Sequence, residues 1–160
     1  MKNRDMLRIL GSFLAVLAIM AMIYSFSAQT ADESDMTSGA IVQVLVKILY
    51  PNLDALPADR QAQILDLWSF VIRKLAHFTE YAVLGAALML HLEAISRVKA
   101  VRHEAGIAFL SGVLYAITDE LHQGVVDGRA PAVRDIFIDA AGVLLAVVLL
   151  AAIIKKRRNI

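Results

Sequence analysis

The stretch LRILGSFLAVLAIMAMIYSF, residues 7–26, decides the fold class of this chain. Only Arg8, at its edge, carries a charge, and about 20 apolar residues are what a helix needs to cross the hydrocarbon of a bilayer. Residues 70–92, 105–122 and 136–154 are further candidates for such helices. We therefore predict an all-α integral membrane protein with four transmembrane helices, forming one domain over residues 1–160.

Composition supports this prediction. Hydrophobic residues make up 59% of the 160 residues and charged residues 19%, whereas soluble domains are about 45–50% apolar. The net charge is +1 and no basic tract of the kind that follows nucleic-acid phosphates is present, so nucleic acid is not an expected partner. The chain has no cysteine, which excludes disulfides, thiolate catalysis and cysteine-ligated zinc.

The first apolar stretch has a second interpretation. Lys2, Arg4 and Arg8 resemble the basic n-region of a secretory signal peptide, and small residues near position 27 fit a cleavage site. The apolar run is longer than the 7–15 residues of a usual signal h-region. We therefore favour a retained membrane anchor.

Residues 27–56 change character, from the polar and acidic SAQTADESDMTSG (27–39) to an apolar segment that is too short to form a span. The segment AIVQVLVKILYP, residues 40–51, places Gln43 and Lys47 four residues apart, which predicts a short amphipathic helix with one polar stripe. Pro51 should end this helix, and Pro57 should begin the next one. We expect the amphipathic helix to lie between spans one and two, on the membrane surface or on other helices.

The distribution of basic residues predicts the orientation. Ten of the sixteen Lys and Arg residues lie in the N-terminus, the central connection and the C-terminus. Short cytoplasmic segments carry an excess of Lys and Arg, so these three segments are expected to be cytoplasmic. Four spans with both termini in the cytoplasm satisfy this pattern. Residues 27–70 and 119–135 would then face outward.

Polar residues occur in three clusters next to the later spans. These are RKLAHFTEYAVLG (73–85), YAITDELHQ (115–123) and GRAPAVRDIFIDAAG (128–142). A charged residue near the bilayer centre costs about 2.5–3.5 kcal/mol on insertion, so such residues usually face the bundle interior and mark a site. In the four-span arrangement all three clusters fall toward the outer side, and we expect them to converge there.

Helical spacing orders the side chains within each cluster. His77 lies on a face with Arg73 and Glu80, and also on the adjacent stripe of Lys74 and Tyr81. We expect Arg73 or Lys74 to pair with acidic residues, of which the candidates are Glu80, Asp119 and Asp135. Glu120 follows Asp119 directly, must point elsewhere, and is expected to be solvated. Gly85 and Gly142 are expected to be close helix-packing points.

The order of these motifs, with FSAQ at 26–29 before them, resembles the VanZ-like family of bacterial membrane proteins over nearly the whole chain. The matching pattern is K-x-x-H-F-x-E-Y, D-E-x-H-Q, a following Arg, and D-x-x-x-[ND]-x-x-G. It falls on Lys74, His77, Phe78, Glu80, Tyr81, Asp119, Glu120, His122, Gln123, Arg129, Asp135, Asp139 and Gly142. The resemblance implies a multi-pass protein of the bacterial cytoplasmic membrane with a cell-envelope role. The family takes its name from a protein associated with teicoplanin resistance, so a contribution to glycopeptide resistance is also implied.

The leading functional hypothesis is an outward-facing pocket that binds an anionic membrane lipid or a lipid-linked cell-wall precursor. Guanidinium forks match phosphate oxygens, and carboxylates would orient the cationic and imidazole groups. The expected ligand-binding residues are Arg73, Lys74, His77, Glu80, Tyr81, Asp119, Glu120, His122, Gln123, Arg129, Arg134, Asp135 and Asp139.

Two alternatives stay open. A membrane-embedded enzyme would use His77, Glu80, Asp119 and His122 in acid–base chemistry, and a metal, if bound, would take His77 and His122 as ligands. No H-E-x-x-H, Gly-rich phosphate loop or nucleophile motif supports this alternative. In the other, the polar residues only lock the helices together. Interhelical hydrogen bonds in membranes average about 0.6 kcal/mol, which is too little to offset the cost of several charged residues within the membrane.

Overall fold

The computed structural model describes residues 3–95 and 101–158, and these residues form an all-helical bundle. A single 3-10 turn, Leu53–Ala55, connects the second helix to the third. The five α-helices are α1 (Asn3–Ser27), α2 (Ala31–Leu49), α3 (Ala58–Ile95), α4 (Val101–Gln123) and α5 (Val133–Arg158).

Three of these helices, α1, α3 and α5, are long and apolar enough to cross a membrane. Large apolar side chains on their outer faces, such as Leu14, Phe137 and Leu149, are exposed rather than packed inside. Exposed apolar surface on this scale fits contact with hydrocarbon and not with water. The protein is therefore a membrane protein, as the composition predicts.

Helix α4 differs from the other three long helices. It includes the predicted span 105–122, but it does not have an apolar stretch comparable to those of α1, α3 and α5. Asp119, Glu120 and His122 near its C-terminal end lower its hydropathy. The helix predicted at this position is present, and its apolar sequence alone does not identify it as a span.

Helix α3 is the longest element and is continuous from the polar segment into the apolar one. Its 38 residues correspond to about 57 Å, well beyond the ~30 Å of hydrocarbon in a bilayer. The Pro57 carbonyl accepts hydrogen bonds from the N–H groups of Arg60 and Gln61, so the proline lies at the helix start as predicted.

Helix α2 is longer than the amphipathic helix predicted at 40–51. It begins at Ala31 because Thr30 and Glu33 form a capping box, in which each side chain accepts a hydrogen bond from the other residue's backbone N–H. The helix ends at Leu49, shortly before Pro51, as expected. It packs against α3.

Close backbone contacts hold α3 against α5. A Cβ atom added at Gly142 would lie 2.2 Å from the Phe78 carbonyl oxygen, and one added at Gly85 would lie 2.8 Å from the Val143 carbonyl oxygen. Real side chains do not fit at such distances, so both positions require glycine. The prediction that Gly85 and Gly142 are helix-packing points is confirmed.

Ion pairs define one end of the bundle. Arg158 Nη2 donates to Glu104 Oε1 at 3.1 Å, which joins the end of α5 to the start of α4, and Arg8 near the start of α1 pairs with Glu93 near the end of α3. The end of α1, the end of α4 and the start of α5 therefore meet at the opposite end.

Candidate functional site

The three polar clusters meet at this opposite end, around the buried carboxylate of Asp119. Ser27 Oγ donates to Asp119 Oδ2 at 2.8 Å, and Gln123 Nε2 donates to the same oxygen at 3.1 Å. Arg129 Nη1, from the loop before α5, donates to Gln123 Oε1 at 3.1 Å. A chain of hydrogen bonds therefore connects the ends of α1 and α4 to the α4–α5 loop.

A second group of contacts joins α3 to the start of α5. Lys74 Nζ donates to Asp135 Oδ2 at 2.6 Å, which is one of the expected ion pairs. Arg134 Nε lies 3.7 Å from the other Asp135 oxygen. The Phe70 ring carries both cations on its face, with Lys74 Nζ at 5.5 Å and Arg134 Cζ at 5.4 Å from its centre.

Arg73 has a partner that the sequence analysis did not identify. It pairs with Asp35 of α2, and the two side chains are 33% and 52% exposed. An ion pair this open to solvent contributes little to stability, about 0–1 kcal/mol. The Arg73 guanidinium therefore remains available to an incoming anion.

Glu120 corrects another expectation. It is buried rather than solvated, and its Oε1 accepts a hydrogen bond from the backbone N–H of Ala132. The residue points away from Asp119, as predicted, but the loop after α4 folds back over it. At the turn of this loop Gly128 has a φ of 75°, and a Cβ added there would lie 3.2 Å from the Cβ of Ala31 at the start of α2.

His77, Asp119 and Asp139 come together beneath these cations. One donor atom from each lies within 4.8 Å of the others, and His77 Nδ1 is 3.9 Å from Asp139 Oδ1. His122, the other histidine expected at a metal, is not in this group. Its ring stacks on Tyr24 of α1 with the centres 4.6 Å apart, whereas Asp119 approaches His77 and Asp139.

A polar cavity of about 270 Å³ opens between α2, α3, the α4–α5 loop and the start of α5. A more apolar cavity of about 210 Å³ adjoins it, between the end of α1, α2 and α3. The two cavities share Ser34, Arg73, His77 and Arg129 in their walls. They therefore form one continuous depression with a charged part and an apolar part.

The predicted site residues divide by depth. Glu80 lines the apolar cavity, whereas Tyr81, Asp119 and Asp139 are buried beneath the two cavities. Glu120 and His122 line neither cavity. The polar cavity is lined by the predicted residues Arg73, Lys74, His77, Gln123, Arg129, Arg134 and Asp135.

The polar cavity also carries an excess of positive charge, because four Lys and Arg side chains line it against two Asp side chains. Partial burial, followed by the nearby Arg73 guanidinium, lowers the pKa of Arg129 below its usual value. Arginine remains protonated at neutral pH even so. Two arginines that line the same cavities favour a bound anion.

Ser27, Ser34, Asp35 and Phe70 contribute to the site and were missed. Ser27 belongs to the FSAQ segment that contributed to the family resemblance, which was a usable signal. Asp35 stood out only as one of several neighbouring acidic residues, and nothing in the sequence pairs it with Arg73.

Comparison with known proteins identifies one matching family. No curated protein and no solved structure matches the chain. A family model described as VanZ/LLP1 matches residues 12–155, a range that contains every residue of the two cavities and of the buried cluster. The chain therefore belongs to the VanZ/LLP1 family.

Proposed function

We propose that this protein binds the anionic, phosphate-bearing headgroup of an envelope lipid or lipid-linked cell-wall precursor in the polar cavity. One observation carries the proposal: the cavity wall has more cations than carboxylates. It contains Arg73, Lys74, Arg129 and Arg134 against Asp35 and Asp135, an excess of two positive charges. A phosphate group would balance this excess.

Arg73 and Arg129 are the side chains best suited to contact the phosphate. Their planar guanidinium groups offer paired N–H donors that match two phosphate oxygens. Lys74 is already held by Asp135, so it would contribute charge rather than a free donor fork. Asp35 is the group that a phosphate would displace, because its ion pair with Arg73 is exposed.

The apolar cavity provides the reason to choose a lipid over a soluble phosphate ester. Its wall includes Phe26, Ile41 and Ile72, and it joins the polar cavity at Arg73 and Arg129. A phospholipid or polyprenyl phosphate has this same order of groups, with an anionic headgroup next to a hydrocarbon chain. The first carbons of that chain would occupy the apolar cavity.

We infer that the cavities face outward from the cytoplasmic membrane of a bacterium. This placement rests on the basic residues near both termini and in the α3–α4 connection, which favour a cytoplasmic location. It requires α4 to cross the membrane too, as the third of four spans. Its buried acidic residues are tolerable there because α4 packs against α3 and α5, which separate them from lipid.

A contribution to glycopeptide tolerance would follow from such binding. The teicoplanin association of the family name motivates the idea. A protein that holds an outward-facing lipid-linked precursor changes the amount of antibiotic target that is accessible. We expect cells lacking the protein to become more sensitive to teicoplanin, and cells carrying Arg73→Ala to match them.

Native mass spectrometry of the detergent-purified protein tests the binding proposal. Samples are incubated with a phosphate-monoester lipid, a zwitterionic phospholipid or inorganic phosphate. We expect retention of the anionic lipid, weaker by roughly 10–100-fold in Arg73→Ala and in Arg129→Ala, because a hydrogen bond to a charged group contributes about 1.5–3 kcal/mol. Arg60→Ala is the matched control, since Arg60 is exposed on the same helix as Arg73 and lies outside both cavities.

Three results would contradict the proposal. Equal retention of the zwitterionic lipid would show that charge does not select the ligand. Binding of inorganic phosphate as tight as that of the lipid would remove the role of the apolar cavity. An equal loss of lipid retention in Arg60→Ala and Arg73→Ala would show that the net charge of the protein, and not the cavity, determines binding.

A second candidate function is catalysis at the same headgroup. His77 lines both cavities and its Nδ1 lies 3.9 Å from Asp139, so its imidazole could transfer a proton at a bound phosphate ester. Mass analysis of the anionic lipid before and after incubation with the protein tests this function. A new headgroup that appears with the wild-type protein and not with His77→Gln supports an enzyme, and unchanged lipid supports binding alone.

A further inference from the structure

We propose that His77, Asp119 and Asp139 form a binding site for a divalent cation. The three residues come from three different helices, α3, α4 and α5, and one donor atom from each lies within 4.8 Å of the others. One imidazole nitrogen and two carboxylate oxygens are a common ligand set for a metal ion in proteins.

The spacing suits an ion with small adjustments. Metal–ligand bonds of this type are about 2.0–2.2 Å, so neighbouring ligands of a tetrahedral ion are separated by about 3.4 Å. His77 Nδ1 and Asp139 Oδ1 are 3.9 Å apart, and no pair in the group is separated by more than 4.8 Å. The ligand atoms therefore have to approach one another by about 1.5 Å or less, which side-chain rotation can supply.

The charge of the group provides an independent reason. Asp119 is 4% exposed and Asp139 1% exposed, and across residues 3–95 and 101–158 neither forms an ion pair with a lysine or an arginine. The nearby cations contact other groups instead: Lys74 pairs with Asp135, Arg73 pairs with Asp35, and Arg129 donates to Gln123. Buried carboxylates are normally paired, neutralised or bound to a metal.

Within the described part of the chain, two buried oxygen atoms in the same place also lack a hydrogen-bond partner. Among the described residues, Asp139 Oδ1 accepts no hydrogen bond although it is fully buried. The hydroxyl of Tyr81, one turn after His77 on α3, is buried beside Asp119. Across residues 3–95 and 101–158 no group forms a hydrogen bond of normal geometry with it. A cation between the carboxylates would use the free Asp139 oxygen and could take the tyrosine oxygen as a further ligand.

The mixed nitrogen and oxygen donors indicate the class of ion. Carboxylates suit Mg²⁺, Ca²⁺ and Mn²⁺, whereas imidazole suits Zn²⁺, Fe²⁺ and Cu²⁺. The combination favours an ion that accepts both, and Mn²⁺ and Zn²⁺ are the two probes we choose. His122 is not part of the site, because its ring is stacked on Tyr24.

The position of His77 connects the ion to the polar cavity. His77 lines that cavity while Asp119 and Asp139 lie beneath it, so coordination positions left open would face a bound ligand. An ion held there would contact a headgroup phosphate directly. This last step rests on the proposed function, whereas binding of the ion does not.

Metal analysis of the detergent-purified, tag-free protein tests the proposal. The protein is equilibrated with Mn²⁺ or Zn²⁺, freed of unbound metal and analysed for the metal-to-protein ratio. We expect one ion per chain in the wild-type protein and an affinity weaker by roughly tenfold or more in His77→Gln and Asp139→Asn. Asp127→Asn and His103→Gln are the controls, since both residues are exposed and outside the cluster.

The electron paramagnetic resonance spectrum of bound Mn²⁺ gives a second measurement, since protein ligands broaden it relative to the aqueous ion. The proposal is overturned if the wild-type protein binds neither ion, or if His77→Gln and Asp139→Asn both bind as the wild-type protein does. If Asp139→Asn fails to fold, the metal affinity of His77→Gln still decides the outcome, because His77 is only partly buried. If the protein retains the anionic lipid but binds neither ion, the metal site fails and the proposed function stands. If the protein binds an ion but retains no lipid, the proposed function fails and the metal site stands.

Discussion

Lys74 Nζ lies 2.6 Å from Asp135 Oδ2, so the wall of the polar cavity is held by an ion pair between α3 and the first turn of α5. The two side chains are only 21% and 18% exposed. A pair in this environment is stronger than the exposed Arg73–Asp35 pair on the other side of the cavity, because solvent screens it less. The cavity therefore has one fixed wall and one wall that is easily rearranged.

Replacement of Asp135 by Asn should destabilise the protein by about 1–3 kcal/mol, because it leaves the largely buried Lys74 without its charged partner. Unfolding of the detergent-solubilised protein by increasing sodium dodecyl sulfate measures this change. Lys74→Met should cost a similar amount, and the double variant should cost clearly less than the sum of the two. Additive losses would mean that the two side chains do not stabilise each other.

The part of the fold that could be predicted from the sequence depends on properties of single segments. Apolar length identified the helices at 7–26, 70–92 and 136–154, and helical spacing placed His77 among the cationic and acidic side chains of α3. Close packing at Gly85 and Gly142 was also predictable, because small residues in such helices allow backbones to approach.

The missed contacts depend on long-range packing. Glu120 was expected to be solvated because it points away from its neighbour Asp119 on α4. In the structure, the loop that contains Ala132 covers the side of α4 on which Glu120 lies. Asp35 reaches Arg73 only because α2 begins at Ala31 and packs against α3. Local spacing cannot show which face a later segment will cover, and so it could not find either partner.

Gly142→Ala should destabilise the bundle strongly. The new Cβ would lie 2.2 Å from the Phe78 carbonyl oxygen, so α3 and α5 would have to separate, and overpacking of this kind costs about 1–3 kcal/mol or more. The same detergent-unfolding experiment measures the loss. Gly106→Ala on α4 is the control, because a Cβ there meets no atom within 4 Å and alanine favours the helix. Equal stability of the two variants would contradict the close approach of α3 and α5.

Asp35→Asn should increase the affinity for an anionic lipid by up to roughly fivefold, since an exposed ion pair contributes about 0.2–1 kcal/mol that the ligand no longer has to replace. The expectation depends on Asp35 competing with the phosphate for Arg73. Lipid titration followed by native mass spectrometry measures the affinity. Asp32→Asn, an equal charge change at an exposed residue outside both cavities, should have a smaller effect. Weaker binding by Asp35→Asn would show that Asp35 helps to form the site instead.

Glu120→Ala should loosen the loop between α4 and α5. The backbone N–H of Ala132 would lose its acceptor, at a cost of about 1–3 kcal/mol, which corresponds to roughly 5–150-fold more frequent opening. Hydrogen exchange measured on peptides that cover residues 124–133 reports this change. Glu120→Gln keeps an oxygen acceptor and should restore most of the protection. Asp127→Ala, at an exposed position in the same loop, should leave the exchange unchanged.

The membrane topology can be tested with single cysteines, because the chain contains none of its own. Asp54, His103 and Asp127 are exposed and lie in three different connections or helix ends. If α4 crosses the membrane and both termini are cytoplasmic, a membrane-impermeant maleimide should label Asp54→Cys and Asp127→Cys in intact cells. His103→Cys should react only after the membrane is permeabilised. Labelling of His103→Cys and Asp127→Cys under the same conditions would mean that α4 does not cross the membrane. The polar cavity and the basic N-terminus could then not lie on opposite sides of the membrane, as the proposed function requires.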